Sequence, residues 1–305
     1  MVAGDMTNWN PGRAFMQKIA ENLFAIQLDF ALTARVEYKF IVDGKWINDE
    51  LNPNKLDNGV GGANSFFTML DYKATTWDDS KEMTKPVIEI IQYESKIYGE
   101  KREMKVYVPE GFSNQSLPVL YVQDGSDYIK RADAITIQRN LVKANKIKPF
   151  IMVFIDYKDR TKEYFASDDY AKFLAEEVVP AIDAKYNTIK TRDGRAILGA
   201  SLGGITSFWV GVNYPDKFAR IGGQSSSFWI DDGRVVKELE KLDASKNKFI
   251  FYIDDGMLEG VEDSHRINVM LRGKGFPVTY VEGETGHNWT SWRDRLADAF
   301  IALWK

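Results

Sequence analysis

Along the first 72 residues short apolar runs alternate with turn residues. Positions 23–28, 36–42, 46–47 and 66–70 are the runs, and Asp43-Gly44, Asn52-Pro53 and Gly61-Gly62 punctuate them. This alternation predicts a small all-β, immunoglobulin-like antiparallel sandwich over residues 1–72. Residues 73–86, with Thr75, Thr76, Asp78, Asp79 and Pro86, have the composition of a linker. From Val87 the units lengthen. Residues 88–92 and 104–108 read as paired antiparallel strands, whereas 119–122, 151–155, 196–198, 250–253 and 278–281 are short apolar runs suited to buried parallel strands. Helical stretches fall between them. Over 170–186, Phe173, Leu174, Val178, Ala181 and Ile182 recur near the 3.6-residue period, and Pro180 marks a kink or a helix boundary. Strands alternating with helices predict an α/β, doubly wound and mostly parallel sheet over residues 87–305.

Composition narrows the function classes. Forty Lys and Arg against 44 Asp and Glu give a net charge of −4 with no block of like charge, which argues against nucleic acid as a partner. The absence of cysteine removes disulfides, thiolate metal sites and cysteine nucleophiles. No stretch reaches the roughly 20 apolar residues of a membrane span, and Met1 leads into Gly4-Asp5-Met6-Thr7 rather than an apolar signal core. The default expectation is therefore a cytoplasmic protein without membrane contact. Val2-Ala3-Gly4 nevertheless reads as the end of a strand whose earlier part is missing. Nothing in the pattern sets an oligomeric state.

The sharpest chemical signal is Gly199-Ala200-Ser201-Leu202-Gly203-Gly204, between the apolar strand at 195–198 and the helical stretch 205–214. Strand, tight turn and helix are the context that G-x-S-x-G requires. The turn around such a serine is strained, and side chains at 199 or 203 would collide with neighbouring backbone. A helix starting just after Ser201 aims amide N–H groups at an oxyanion. A serine hydroxyl needs a base at neutral pH, and the chain has two histidines. His287, in Gly286-His287-Asn288-Trp289, follows the last predicted strand and precedes the C-terminal helix, where the order nucleophile, acid, histidine places the base. His265 sits inside the helical stretch 262–272 and reads as a half-exposed helix residue. The acid belongs on the loop after the preceding strand, which carries Asp254, Asp255 and Glu259; spacing alone leaves all of them open.

Taken with these, Tyr121-Val122-Gln123-Asp124-Gly125, Arg160 with Glu163-Tyr164, and Gln224-Ser225-Ser226-Ser227 make residues 87–305 resemble the esterase D type esterases of the α/β-hydrolase class. That group includes enterochelin esterases and feruloyl or acetyl-xylan esterases. In such enzymes the acid follows a glycine by three positions. The resemblance therefore implies Glu259, in Gly256-Met257-Leu258-Glu259, as the acid, with Asp255 in reserve. It also implies oxyanion donors at the N–H of Leu202 and near Gly125 or Ser126. Asp124-Gly125 stands where many hydrolases carry His-Gly.

Residues 1–70 are similar to the glycogen-binding, isoamylase-N-terminal type of module, carbohydrate-binding module family 48. The matching segments are Gly4-Asp5-Met6-Thr7-Asn8-Trp9, Tyr38 through Trp46, Asn48-Asp49 and Gly61 through Ser65. In glucan-binding members aromatic rings stack on sugar faces while a lysine and an asparagine bond the hydroxyls. The matching positions are Trp9, Trp46, Lys39 and Asn64.

The expected function is a serine carboxylic-ester hydrolase working through an acyl-enzyme, with neither metal nor organic cofactor. The substrate expectation is a small-molecule or carbohydrate ester: feruloyl or acetyl esters of sugars, or an enterochelin-type catecholate siderophore. A ferric triscatecholate complex would need a basic cleft, for which Arg160, Arg293 and Arg295 are the candidates. The rival readings are a non-catalytic carbohydrate-binding scaffold on a hydrolase fold and an acyltransferase using the same residues.

Overall fold

The computed structural model describes residues 1–59, 61–81 and 83–304. The chain forms two compact units. The smaller comprises Met1–Ala74, Asp255–Val261 and Glu282–Ser291, and the larger Thr75–Asp254, Glu262–Val281 and Trp292–Lys305.

In the smaller unit a five-stranded sheet has the order β1-β4-β7-β6, with β5 paired to β4, and β2 and β3 form a separate two-stranded sheet. The strands are β1 (Val2–Gly4), β2 (Gln17–Ala20), β3 (Leu23–Ala25), β4 (Arg35–Val42), β5 (Lys45–Ile47), β6 (Lys55–Asp57) and β7 (Ala63–Thr68). Apolar alternation makes β4 legible in the sequence, the apolar run beginning at Phe66-Phe67 marks β7, and Val2-Ala3-Gly4 reads as a strand end at β1. The short β2 and β6 carry no such pattern. Between β4 and β5, Asp43 (φ 49°) and Gly44 (φ 77°) both have positive φ, the requirement of a two-residue hairpin turn matched to strand twist.

The larger unit is built on an eight-stranded sheet of order β15-β14-β13-β12-β10-β11-β9-β8. Its strands are β8 (Ile88–Ser95), β9 (Glu100–Tyr107), β10 (Val119–Gln123), β11 (Ile151–Ile155), β12 (Arg195–Ala200), β13 (Arg220–Gln224), β14 (Ile250–Gly256) and β15 (Val278–Gly283). β8 and β9 pair antiparallel, as the sequence predicts, and β9 is antiparallel to β11. β10 through β14 run parallel, in register Val119↔Ile151, Val119↔Arg195, Ala196↔Arg220 and Arg220↔Ile250. β10, β11 and β12 are buried along their whole length, which is why they read as continuous apolar runs rather than as alternation.

The helices are α1 (Gly125–Lys130), α2 (Ala134–Lys143), α3 (Arg160–Tyr164), α4 (Asp168–Lys172), α5 (Val179–Lys185), α6 (Leu202–Asn213), α7 (Arg234–Lys241), α8 (Glu262–Gly273) and α9 (Trp289–Trp304). The stretch predicted as one helix over 170–186 is α4 and α5 joined by a π-helical turn, Phe173–Val178. Pro180 falls in the first turn of α5, directly after that π-helical segment and within a continuous helical run, so its missing N–H interrupts the hydrogen-bond ladder there.

Of residues 73–86, expected as a linker, 73–74 cluster with the smaller unit, while 75–81 and 83–86 cluster with the larger unit and are hydrogen-bonded into it. Asn140 Nδ2 donates to Trp77 O (2.7 Å) and Asp79 O (2.9 Å), and Thr75 N donates to Asp294 Oδ1 (3.2 Å). The single cut expected near residue 73 is also incomplete, because the loops 255–261 and 282–291 cluster with the N-terminal strands.

Candidate active site

In the larger unit the chain passes from β10 to β11 on one side, then crosses back to β12 and on to β13 on the other. β10 and β12 are neighbours whose successors diverge, so their carboxyl ends form the topological switch point of the sheet. Gly125 follows β10 and Ser201 follows β12.

Ser201 has φ 56° and ψ −119°, a conformation outside the regions open to ordinary L-residues. The surroundings hold it there. Its N–H donates to Gln224 O at 2.8 Å, and its C=O accepts from Ile205 N at 3.1 Å and Ser227 N at 3.3 Å. A Cβ at Gly199 would overlap the Gly203 carbonyl, so the glycine is a steric necessity. At Gly203 the obstacle is a side chain rather than the backbone: a Cβ would come within 2.7 Å of Asp124 Oδ2. Leu202 opens α6, so its N–H has no intrahelical acceptor and points outward from the positive end of the helix.

A polar network behind the elbow fixes β13 and β14. Gln224 Nε2 donates to Asp254 Oδ2 (2.8 Å) and Trp292 O (2.9 Å), while Gln224 Oε1 accepts from Tyr128 OH (2.8 Å). Asp254 also accepts from Tyr252 OH (2.7 Å) and pairs with Arg295 Nε (3.1 Å). Burial pushes its carboxyl up, opposed by Arg295. Asp254 is therefore a structural anchor, which removes it from the three carboxylates considered as the acid.

The β10 loop is equally constrained. Asp124 N donates to Tyr164 OH (3.0 Å), and the Asp124 carboxylate takes a bidentate pair from Arg160 (3.1 and 3.0 Å). Glu163 is held in turn by a bidentate bond from buried Arg102 (2.8 and 2.9 Å). A Cβ at Gly125 would meet Phe154 Cβ at 2.5 Å and Ile155 N at 2.6 Å, so only glycine allows this close approach to β11. Ser126, expected as an alternative oxyanion donor, is corrected: its N–H donates to Asp156 Oδ1 at 2.8 Å and its hydroxyl to Asp156 Oδ2. Of the two positions considered on this loop, Gly125 is the one without that engagement.

The three arginines considered for a basic cleft are each neutralised. Arg160 pairs with Asp124, Arg295 with Asp254, and Arg293 Nε lies 3.4 Å from Asp78 and 3.8 Å from Asp294. Ion pairs of this kind contribute little net positive potential. The sequence leaves each arginine open between cleft and ion pair because the partners lie up to 215 positions away, at Asp78 for Arg293.

His287, Glu259 and Asp255 lie in the smaller unit. Glu259 ends a 3₁₀ turn, Met257–Glu259. Its Oε1 accepts Gly256 N at 2.8 Å, and its Oε2 bonds His287 Nδ1. Glu259 is mostly buried (12% exposed) and His287 is partly open (39%), so the imidazole is oriented from its protected side. Asp255 is buried at 3% exposure. The two loops are stitched together by Leu258 N to Thr285 O (3.1 Å), and Arg35 N on β4 donates to Glu284 O (3.0 Å). Asn288 caps α9 by accepting Ser291 N (3.0 Å).

Asp5 reaches the same loop. Its Oδ2 accepts Glu37 N (2.8 Å) and Asn288 Nδ2 (3.4 Å), and the carboxyl packs so tightly on Gly286 that a Cβ there would overlap it. Burial, reinforced by the Glu37 charge, pushes the Asp5 carboxyl up to about 7. Nothing in the local sequence marks this role. His265 lies exposed on α8, its ring edge-on to Tyr280, as a helix-surface residue.

The aromatic and polar set near the N-terminus also converges. Trp9, Trp46, Lys39 and Asn64 line a cavity of about 360 Å³ together with Glu37, Asn58, His287 and Asn288. Asn64 is more engaged than expected: its Nδ2 donates to Glu37 Oε2 (2.8 Å) and its Oδ1 accepts from Asn58 Nδ2 (3.3 Å).

Comparison with known proteins agrees with this architecture. The family model described as Putative esterase matches residues 95–303. The iron(III) enterobactin esterase of Escherichia coli K12 is 22% identical over 312 residues, 98% of this chain and 77% of that protein. An endo-1,4-beta-xylanase/feruloyl esterase of Xylanibacter ruminicola is 26% identical over 242 residues, 74% of this chain and 32% of that longer protein. The crystal structure of the ferric enterobactin esterase of Salmonella typhimurium superposes with a TM-score of 0.83 at 19% identity, covering 99% of this chain and 88% of that one. The larger unit thus has the α/β-hydrolase type of fold, and the chain belongs to the esterase family as a carboxylic ester hydrolase.

Proposed function

We propose that the chain hydrolyses its ester by a two-step serine mechanism, with Ser201 as nucleophile, His287 as general base and acid, and Glu259 as the group that orients His287. The observation that carries this reading is the conformation of Ser201, φ 56° and ψ −119° at the turn from β12 into α6. Such strain costs about 1–3 kcal/mol and persists only where the surroundings impose it, as they do in a nucleophile elbow. His287 removes the Ser201 proton as Oγ attacks the carbonyl carbon. The oxyanion is received by the N–H groups of Leu202 and Gly125, and His287 passes its proton to the departing alcohol. Water then repeats the sequence on the acyl-enzyme, releasing the acid. Glu259 fixes the tautomer in which Nδ1 carries the proton and Nε2 the lone pair that acts as base, because Nδ1 is committed to the carboxylate.

The substrate we favour is a neutral, carbohydrate-linked ester of the feruloyl or acetyl kind. The similarity to enterobactin esterases raises the alternative of a catecholate siderophore, but the pairing of Arg160, Arg293 and Arg295 with carboxylates speaks against an anion-attracting cleft. We read the N-terminal strands as a glycogen-binding-like domain whose Trp9, Trp46, Lys39 and Asn64 face sugar. Hydrolysis of p-nitrophenyl acetate by wild type and its loss in Ser201→Ala tests the mechanism; equal rates in the two proteins would refute it.

A further inference from the structure

In glycan-binding modules an aromatic platform anchors a polymer away from the chemistry. Here the platform and His287 line one cavity of the smaller unit, about 360 Å³, within the range of small-molecule sites, roughly 300–1,000 Å³. The Trp9 and Trp46 rings lie 6.4 Å apart at 27°. Two ring contacts of about 3.5–4.0 Å each would need more separation than that, so a ligand ring lies on the indoles rather than between them. Asn8 (φ 50°) and Trp9 (φ 56°) are consecutive non-glycine residues at positive φ, an arrangement that costs free energy and turns the Trp9 side chain into the cavity wall. The polar lining mixes donors and acceptors: Glu37 at 2% exposure, the Lys39 ammonium and the amide of Asn58. Glu37 is already paired with Arg35 at 2.9 Å, so the Lys39 ammonium stands beside neutral amides as a hydrogen-bond donor, a lining that suits a polyhydroxylated ring. Its C–H face would meet the indoles, and its hydroxyls would both give and accept hydrogen bonds.

The chemistry of His287 decides which half of the ester that ring belongs to. In the proposed mechanism, on which this inference rests, the C–O bond of the ester breaks after Ser201 Oγ has bonded the carbonyl carbon. The proton taken from Oγ then passes from His287 to the departing oxygen. The oxygen nearest His287 is therefore that of the alcohol. We propose that the cavity walled by Trp9, Trp46, Glu37, Lys39, Asn58 and His287 is the leaving-group subsite, taking the sugar half of a carbohydrate ester. The aromatic set is thus part of substrate selection, not a detached glycan anchor.

The test uses methyl ferulate and a feruloylated arabino-oligosaccharide, which share an acyl group and differ in the alcohol. For Trp46→Ala the ratio of kcat/KM, sugar ester over methyl ester, is expected to fall about tenfold, the scale of one lost aromatic contact. Titration calorimetry of the free arabino-oligosaccharide into Ser201→Ala protein is expected to give a binding heat that the added Trp46→Ala change removes. An unchanged ratio, or no binding heat in Ser201→Ala, overturns the subsite. If Ser201→Ala still hydrolyses both esters, the underlying mechanism fails instead. If it hydrolyses neither while the Trp46→Ala ratio stays at the wild-type value, the subsite alone fails.

Discussion

Glu259 holds His287 by Nδ1 with one carboxylate oxygen while its other oxygen accepts the Gly256 N–H at 2.8 Å. Because both oxygens are committed, the carboxylate cannot rotate without losing a hydrogen bond, and the imidazole inherits that rigidity. Glu259→Gln keeps the size but replaces an acceptor oxygen by an NH₂ group, which favours the wrong tautomer of His287. We expect kcat for p-nitrophenyl acetate to fall by about 10²–10⁴ with KM nearly unchanged, by the logic of an orienting acid that acts through its histidine. A loss below about threefold would move the role to another carboxylate, and Asp255→Asn measured alongside would identify it.

The elbow gives a stability prediction that is independent of activity. A methyl group at Gly199 overlaps the Gly203 carbonyl, a backbone atom that cannot swing aside. Gly199→Ala is expected to destabilise the protein by about 3 kcal/mol or more in denaturant unfolding, the range of severe core substitutions. At Gly203 the obstacle is the Asp124 carboxylate, itself tied to Arg160. Gly203→Ala should therefore cost less stability and act mainly on kcat by displacing the Asp124-Gly125 loop.

What could be read from the chain differs by the range of the interaction involved. The elbow was legible because its strand, turn and helix are contiguous in sequence, and β10, β11, β12 and β14 were legible because burial leaves continuous apolar runs, whereas β13, Arg220-Ile221-Gly222-Gly223-Gln224, has no such run and went unread. Ser126 was misread because its N–H is claimed by Asp156, 30 positions on and on another strand's loop. The arginines were open for the same reason, their carboxylates being set by the fold. The loops 255–261 and 282–291 belong with residues 1–74 through bonds such as Arg35 to Glu284 and Asp5 to Asn288, which no local pattern announces.

Charge pairing in the larger unit bears on substrate choice. With Arg160, Arg293 and Arg295 each opposite a carboxylate, anionic esters gain no long-range steering from them. The kcat/KM for a carboxylated ester should change by less than about twofold between about 50 mM and about 500 mM salt, a range over which a steered encounter would slow markedly. Turnover of ferric enterobactin should stay well below that of a feruloyl sugar ester. A steep salt dependence, or the reverse substrate order, would contradict the neutral-ester reading.

Asp5 supplies a pH dependence with a definite sign. Burial, with Glu37 adding to it, raises its folded pKa to about 7 from an ordinary carboxylate value of 3.8. Between those values the folded chain holds a proton that the unfolded chain has released, so this carboxyl makes stability fall as pH rises from about 4 to about 7. The span bounds the effect at roughly 4 kcal/mol. Asp5→Asn keeps an acceptor for Glu37 N and removes the titration. Urea unfolding of both proteins at pH 4.5 and pH 7.5 cancels the carboxyls they share, including Asp124 and Asp254, whose burial also raises them. The wild type should lose stability relative to Asp5→Asn between the two conditions. Because Asp5 packs on Gly286 and bonds Asn288, either side of His287, its ionisation should also loosen the loop that carries the base. A wild-type difference no larger than that of Asp5→Asn would show that the carboxyl does not titrate in this range.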